Sequence, residues 1–408
     1  MNRLVSYYGD DFTGSTDVME ALASHGVATV LFTRIPSEAE FAPFAECEAI
    51  GLAGTSRSQT PEWMDAHLPE SFAWLKSLQA QFCHYKVCST FDSSPRIGSI
   101  GRAVELGLST FGQKHAKLIL GAPQIRRYTF AGHLFAAYQG KVYRIDRHPV
   151  MRVHPVTPMD ESDVLLHLAK QTAASVELVD VHDAATQHLA GQTLLALPNV
   201  DLPFVVGSSG VEYALMAALE KTQALGFPAV APAHQMLVIS GSVSPTTQRQ
   251  IECAAANGFV AIAADAEALA GKYIAPVLAG AREALSQGRS VLIHSASGPA
   301  SDKGKALQAI VDGRETLAKS LGQIARDLVQ TFRLGRLVIA GGDTSSHALS
   351  ELDIHALTIR FPLRDTPGSP LCLAHSSNPI FNGLELAMKG GQVGGDDYFV
   401  RLKNGLEP

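Results

Sequence analysis

Short apolar runs that end in small polar turns and give way to helical patterns recur along the whole chain. That alternation restricts the chain more than any other feature, because a strand followed by a helix returns most readily to a parallel sheet. In the first half the runs are Leu4–Tyr8, Ala28–Phe32, Ala49–Ala53, His84–Cys88 and Leu118–Gly121, with helical patterns at Asp17–Ser24 and Gly98–Leu108 among those that follow. PFVVGSSGVEYALMAALEK (203–221) repeats strand, turn and helix. GFPAVAPAHQ (226–235) then reads as a linker, since proline resists both helix interiors and central strands. A second series follows in MLVISGSVSPTTQRQIECAAANG (236–258), SVLIHSAS (290–297), a long helical pattern from Gly304 to Phe332, RLVIAGGDTSSHALSEL (336–352) and ALTIRFPL (356–363). The expectation is a two-domain α/β protein, residues 1–228 and 234–408, with parallel or mixed sheets flanked by helices.

Composition narrows the class. With 408 residues, 46% apolar and 18% charged, the chain can bury a large core. A net charge of -6 argues against a nucleic-acid partner, whose footprint would be basic. No run approaches the roughly 20 apolar residues of a membrane helix, and the N-terminus enters a strand with no signal-peptide pattern. The five cysteines, Cys47, Cys83, Cys88, Cys253 and Cys372, have neither disulfide-framework nor C-x-x-C spacing. Reduced thiols in a cytoplasmic protein without membrane contact are expected.

Ligands of open parallel sheets bind at the carboxyl ends of strands. Five polar small-residue clusters fall there: GDDFTGS (9–15), AGTSRS (53–58), STFDSS with Pro95 and Arg96 (89–96), SGSVS (240–244) and AGGDTSS (340–346). Any one such turn is ordinary helix capping. Five together, three carrying Asp and two carrying Arg, point to two site-bearing lobes facing a cleft.

The second lobe reads as a phosphate cradle. Glycine-rich turns before a helix present backbone N–H groups to an anion. Ser242, Ser244 and Thr246 add hydroxyls, Gly341 and Gly342 allow close approach, and MKGGQVGGDDYF (388–399) adds further glycines after Lys389. GPASDKGKA (298–306) is not a P-loop: five residues separate its glycines, and Ala306 replaces the metal-binding hydroxyl. No G-x-G-x-x-G follows a strand, which disfavours a dinucleotide dehydrogenase. The first lobe mixes cations (Arg57, Lys86, Arg96, Arg126, Arg127, His133, Arg147, His148, His154) with Asp10, Asp11 and Asp92. Cations for a carboxylate and carboxylates for hydroxyls suit a polyhydroxy acid. RIDRHPVMRVHPVTPM (144–159) reads equally well as a surface loop.

These motifs resemble the four-carbon acid sugar kinase family nearly end to end. GDDFTGSTD resembles the family's opening ADDFTGA-x-D, and TSRS its TRS segment. Residues 85–101, which open YKVCSTF and close RIGSIG, resemble its YKK-x-DST-x-RG-x-x-G segment. IRRYTFAGHLF (125–135), HPVTPM (154–159), SGSVSPTTQRQI, AGGDTSSHAL with Asp343 in place of Glu, and LAMKGGQVGGDDYF continue the match. The resemblance implies an ATP-dependent, Mg²⁺-using kinase with its active site in the interdomain cleft. Its substrate contacts would be Asp10, Arg57, Lys86, Asp92, Ser93, Arg96, Arg127 and His133. Its nucleotide contacts would be Ser242, Ser244, Gly341, Gly342, Asp343, Thr344, Gly390 and Gly391. No metal ligands are identifiable. Of Asp10 and Asp11, one would orient or deprotonate the acceptor hydroxyl and the other bind a neighbouring hydroxyl or cap the next helix. The extra residues between Lys86 and Asp92, and Pro95, resemble a subgroup that includes 3-oxo-isoapionate kinases. D-threonate, D-erythronate and 3-oxo-tetronate are the alternative acceptors. A sugar-acid aldolase or isomerase and a non-catalytic sensor are the competing classes, and a homodimer is left open.

Overall fold

The computed structural model describes residues 3–154, 156–197, 202–221, 226–310, 312–363 and 365–408. The chain divides into two compact units, Met1–Leu225 and Gly226–Pro408. Among the described residues no helix is long and apolar enough to cross a membrane. All five cysteines are free thiols.

The first unit holds strands β1 (Val5–Gly9), β2 (Thr29–Phe32), β3 (Ala49–Ala53), β4 (Phe82–Lys86), β5 (His115–Ile119), β6 (Arg127–Phe130), β7 (His133–Tyr138), β8 (Lys141–Arg144), β9 (Ser175–Leu178) and β10 (Phe204–Gly207). Seven of them form a parallel sheet in the order β2-β3-β1-β4-β10-β5-β9. β1 through β4 are buried at every position, which is why they read as continuous apolar runs rather than alternating ones. β1 lies between β3 and β4, with Gly9 level with Ala53 on one side and Lys86 on the other. The chain runs to one side of β1 through β2 and β3, then crosses to the other with β4. The turn after β1 therefore opens at a topological switch point, where such sheets form crevices.

The sheet is packed by aromatic side chains. Tyr8 stacks on Tyr85, and Phe72 meets Tyr8, Tyr85 and Phe204 edge-on. Gly51 is required here: a Cβ at that position would lie 2.1 Å from Cζ of Tyr7. Strands β6 to β8 form a separate antiparallel meander. The alternation of apolar runs with helices does not reveal it, because its half-exposed strands carry arginines and a histidine at their ends. The basic stretch that follows holds two short 3₁₀ turns, Ile145–Arg147 and Met151–Val153.

The second unit holds β11 (Leu237–Ser240), β12 (Val260–Ala263), β13 (Val291–His294), β14 (Arg336–Ala340), β15 (Ile354–Phe361), β16 (Leu371–Ser376) and β17 (Glu385–Lys389). Its sheet is mixed, in the order β12-β13-β11-β14-β17-β16-β15. The first five are parallel, and β16 runs antiparallel to both neighbours. The segment read as a linker is part of this unit's packing. Val230 pairs with Leu406, and the Ala233 N–H donates to the Lys403 carbonyl at 2.8 Å. The helical pattern from Gly304 forms two helices, Gly304–Gln308 and Gly313–Phe332. Asp312, the residue before the second helix, takes a left-handed conformation (φ 52°) that a continuous helix could not include.

Gly51→Ala should destabilise the first unit by about 1–3 kcal/mol through overpacking against Tyr7. Urea unfolding measures this, and a loss near zero would contradict the packing described.

Candidate active site

In the first unit the turns after β1, β3 and β4 converge. The Asp10 N–H donates to the Lys86 carbonyl at 2.9 Å, and the Arg57 N–H donates to the Asp10 carbonyl at 3.0 Å. These backbone bonds bring Asp10, Asp11, Arg57 and Lys86 together. Asp11 caps the helix Phe12–Ala23: its Oδ1 accepts from the Gly14 N–H at 2.5 Å. Its Oδ2 accepts from Arg57 at 2.7 Å. The other arm of the Arg57 guanidinium reaches both oxygens of Asp92, at 3.0 and 3.1 Å. Asp92 also accepts from Thr90 at 2.5 Å and from Thr157 at 3.0 Å. Gly14 leaves the space this needs, since a Cβ there would fall 2.6 Å from Asp11 Oδ1 and 3.1 Å from Lys86 Nζ.

The electrostatics separate the carboxylates. Burial would raise the pKa of Asp11, but Arg57 and Lys86 outweigh it and hold the carboxyl below its usual range. Asp92 behaves alike under burial and the Arg57 charge. Asp10 does not. It is 4% exposed, its Oδ1 has no hydrogen-bond partner, and burial together with the Asp11 charge pushes it up to about 7. Lys86 is also buried, its Nζ donating to the Val87 carbonyl at 2.9 Å and lying 3.9 Å from Asp17. Burial opposes its charge, yet Asp17, Asp10 and Asp11 hold its pKa above the ordinary value.

The remaining expected residues spread outward. Ser93 is buried between Gln171, at 2.8 Å, and His167, at 3.1 Å, so its hydroxyl fixes the loop to a neighbouring helix. Arg96 is exposed and forms no ion pair among the described residues. His133 meets Ser162 at 3.0 Å. Arg127 donates to the carbonyls of Ile125 and Arg126, its buried Nε has no partner, and no carboxylate lies within ion-pair distance among the described residues. Burial lowers its pKa, and Cys88 and Asp17 are among the groups whose charge it feels. Asp17, Thr90 and Thr157 complete the cluster. Asp17 and Thr157 lie within the GDDFTGSTD and HPVTPM motifs, but the turn-to-turn contacts are what place them beside Lys86 and Asp92.

In the second unit the turns after β11, β14 and β17 converge. The Gly241 N–H donates to the Ala340 carbonyl at 3.0 Å, and the Gly341 N–H to the Lys389 carbonyl at 2.9 Å. Ser244 caps the helix Pro245–Ala256, and its N–H donates to Ser242 Oγ at 3.2 Å. The glycines permit close approach: a Cβ on Gly241 would sit 2.1 Å from Thr344 Oγ1, and one on Gly391 would sit 2.6 Å from Ser242 Oγ. Gly341 has φ 120° and precedes the helix Gly342–Leu349. Ser242, Ser244, Gly341, Gly342, Thr344, Gly390 and Gly391 are thus assembled around two helix N-termini. The Asp343 side chain lies outside the described residues. Two residues absent from the sequence-based site complete the turn: Thr247, which donates to the Gly391 carbonyl at 2.8 Å, and Lys389, whose Nζ donates to Thr247 at 3.1 Å.

Comparison with known proteins agrees with this division. Residues 5–197 match a sugar-binding N-terminal domain, and residues 237–399 match a nucleotide-binding C-terminal domain. The chain is 39% identical to the 3-oxo-isoapionate kinase of Paraburkholderia graminis, covering 98% of this chain and 94% of the relative. It is 30% identical to the 3-oxo-tetronate kinase of Pseudomonas fluorescens, covering 98% and 96%. Solved structures from Haemophilus influenzae (TM-score 0.70, 97% and 98% covered) and Salmonella typhimurium LT2 (TM-score 0.75, 98% of each) share the fold at 22% identity. A sugar-binding unit followed by a nucleotide-binding unit, and kinase relatives matched nearly end to end, make this chain a member of the four-carbon acid sugar kinase family.

Proposed function

We propose that the acceptor of this ATP-dependent sugar-acid kinase is 3-oxo-isoapionate, and that Asp10 takes the proton of the acceptor hydroxyl. The observation that carries the substrate is the 39% identity to a 3-oxo-isoapionate kinase over nearly the whole chain, against 30% to a 3-oxo-tetronate kinase of similar coverage. The charge arrangement supports an acidic substrate. Arg57 is spent on Asp11 and Asp92, and Lys86 faces Asp17, Asp10 and Asp11. Arg127 is the cation of this cluster without a carboxylate partner among the described residues, and the substrate carboxylate would supply one.

Phosphoryl transfer depends on positioning and charge neutralisation. The acceptor oxygen bonds to the γ-phosphorus of ATP, the bond to the bridging oxygen breaks, and ADP leaves. The hydroxyl proton passes to the Asp10 carboxylate. A carboxyl pKa of about 7 suits that role, since at neutral pH the group is substantially ionised yet basic enough to hold a proton. Asp11 anchors the helix and Arg57, and Arg57 holds Asp92. The turns around Ser242, Ser244, Gly341 and Gly391 are proposed to receive the phosphates. Mg²⁺, when bound, neutralises phosphate charge. Among the described residues no group of three His, Cys, Asp or Glu side chains is arranged to hold a metal. The ion is proposed to enter on the phosphate oxygens, as is common for Mg²⁺ in kinases.

A coupled ADP-release assay over 3-oxo-isoapionate, 3-oxo-tetronate, D-threonate and D-erythronate tests the acceptor. Turnover should favour 3-oxo-isoapionate by about tenfold or more in kcat/KM, the scale of one or two pocket contacts. In Arg127→Met the KM should rise about tenfold or more with kcat little changed, as expected when binding common to ground and transition state is lost. A preference for 3-oxo-tetronate would reassign the substrate, and no ADP release with any acid would contradict the proposed acceptor class.

Asp10→Asn should lower kcat by about 10²–10⁴-fold, the usual contribution of a proton acceptor. In the unaltered enzyme kcat/KM should rise with pH to a plateau above about 7. The folded pKa lies above the unfolded value, so Asp10's contribution to stability is greatest below the unfolded pKa and is lost as pH rises through about 7. Asp10→Asn should therefore melt no lower than the unaltered protein at pH 8. Full turnover in this variant, or a marked loss of stability, would contradict the assignment.

A further inference from the structure

Lys389 ends β17 and is fully buried. Among the described residues no acidic side chain pairs with it. The helix Pro245–Ala256 offers the Thr247 hydroxyl at 3.1 Å, and the helix Tyr398–Asn404 offers the Phe399 ring, whose centre is 6.0 Å from Nζ. β14 meets its carbonyl through the Gly341 N–H. The charged residues of those helices are engaged elsewhere. Arg249 pairs with Asp396, Arg401 with Asp365, Lys403 lies over Phe259, and Glu252 accepts from Gln248. On its own strand, Glu385 pairs with Arg336 and Arg360. Among the described residues Lys389 has no ion-pair partner.

A buried ammonium without a counter-ion is unfavourable unless the site receives one. Lys389 is placed for that. Thr247, which accepts from its Nζ, donates to the Gly391 carbonyl, so the ammonium lies beneath the glycine turn that packs on Ser242 and Ser244. Those two serines begin the helix Pro245–Ala256, whose N-terminus favours negative charge.

We propose that Lys389 supplies the positive charge for a nucleotide phosphate bound at these glycine turns, and that this binding draws one proton from solvent onto its Nζ. The inference rests on the nucleotide reading of the second unit. The balance is simple: the neutral amine of the free protein takes up a proton and becomes the ammonium of the complex. Burial alone lowers the pKa of Lys389 to about 7 in the free protein, so at pH 8 the amine is mostly neutral. A phosphate in the site replaces the missing counter-charge and restores the ordinary ammonium. Because a desolvated lysine responds in this way where an arginine would not, the proton makes the contact visible.

Calorimetric titration of the full chain with Mg-ADP at pH 8, with no sugar acid present, reads this directly. Repeating it in buffers of different ionisation enthalpy gives the protons taken up on binding. Uptake should approach about one proton at pH 8 and fall well below half at pH 6, where the free lysine is already charged. Lys389→Met should bind Mg-ADP about tenfold or more weakly and without the excess uptake. Lys389→Arg, charged throughout, should bind without the uptake. Mg-ADP binding with no uptake by the unaltered protein overturns the proposal, as does uptake that persists in Lys389→Met. The unaltered protein decides the first point even if the variants fail to fold. Failure to bind Mg-ADP at all would instead contradict the nucleotide reading, and the proposal falls with it.

Discussion

The Arg57 guanidinium holds the first unit's site in place. One side grips Asp11 and the other grips Asp92, residues that leave different strands of the sheet. Three turns already joined by backbone hydrogen bonds are thereby locked through their side chains as well. The same pairing sets the carboxylates apart from one another. Two acids are satisfied by the arginine and stay ionised, while Asp10, buried next to Asp11, is left without a hydrogen-bonding partner on its Oδ1. Adjacent residues leaving a strand point in different directions, so neighbouring acids can serve one as a helix cap and the other as a proton acceptor.

The two units handle charge in parallel ways. Each assembles glycine and hydroxyl turns at the carboxyl ends of parallel strands, and each holds a cation that has no ion-pair partner among the described residues: the partly buried Arg127 in the first and the buried Lys389 in the second. Buried cations of this kind work against stability unless a ligand completes them. A kinase of acidic sugars binds two anions, and on the proposed reading each of these cations meets one of them. The basic residues of the first unit differ in their surroundings: Arg96 is exposed, whereas Arg57 pairs with Asp11 and Asp92.

Much of the parallel core was legible in the sequence, because strands buried on both faces read as unbroken apolar runs. Ala49–Ala53 is an example where the run and the strand coincide. The β6–β8 meander was not legible, since its half-exposed strands lack that signal, and β17 was hidden by the glycine-rich turn that follows it. The site was legible as turns but not as pairings. GDD, TSRS and the turn from Asp92 to Arg96 each announce a polar cluster, yet nothing in their spacing says that Arg57 joins Asp11 to Asp92, or that Ser93 turns away to Gln171 and His167. Thr247 falls within the SGSVSPTTQRQI motif, yet its role there comes from the Gly391 carbonyl that it meets across a long sequence interval.

The account stands on the separation of Asp10 from its neighbour. Carbon-13 NMR of the full chain with labelled aspartate carboxyls, with the Asp10 signal identified by its loss in Asp10→Asn, measures that separation directly. The account predicts a titration midpoint near 7 for Asp10 and one below the ordinary aspartate value for Asp11. A midpoint for Asp10 near the unperturbed value of about 4 would mean that the carboxyl is solvated or paired, and the proton-acceptor assignment would be wrong.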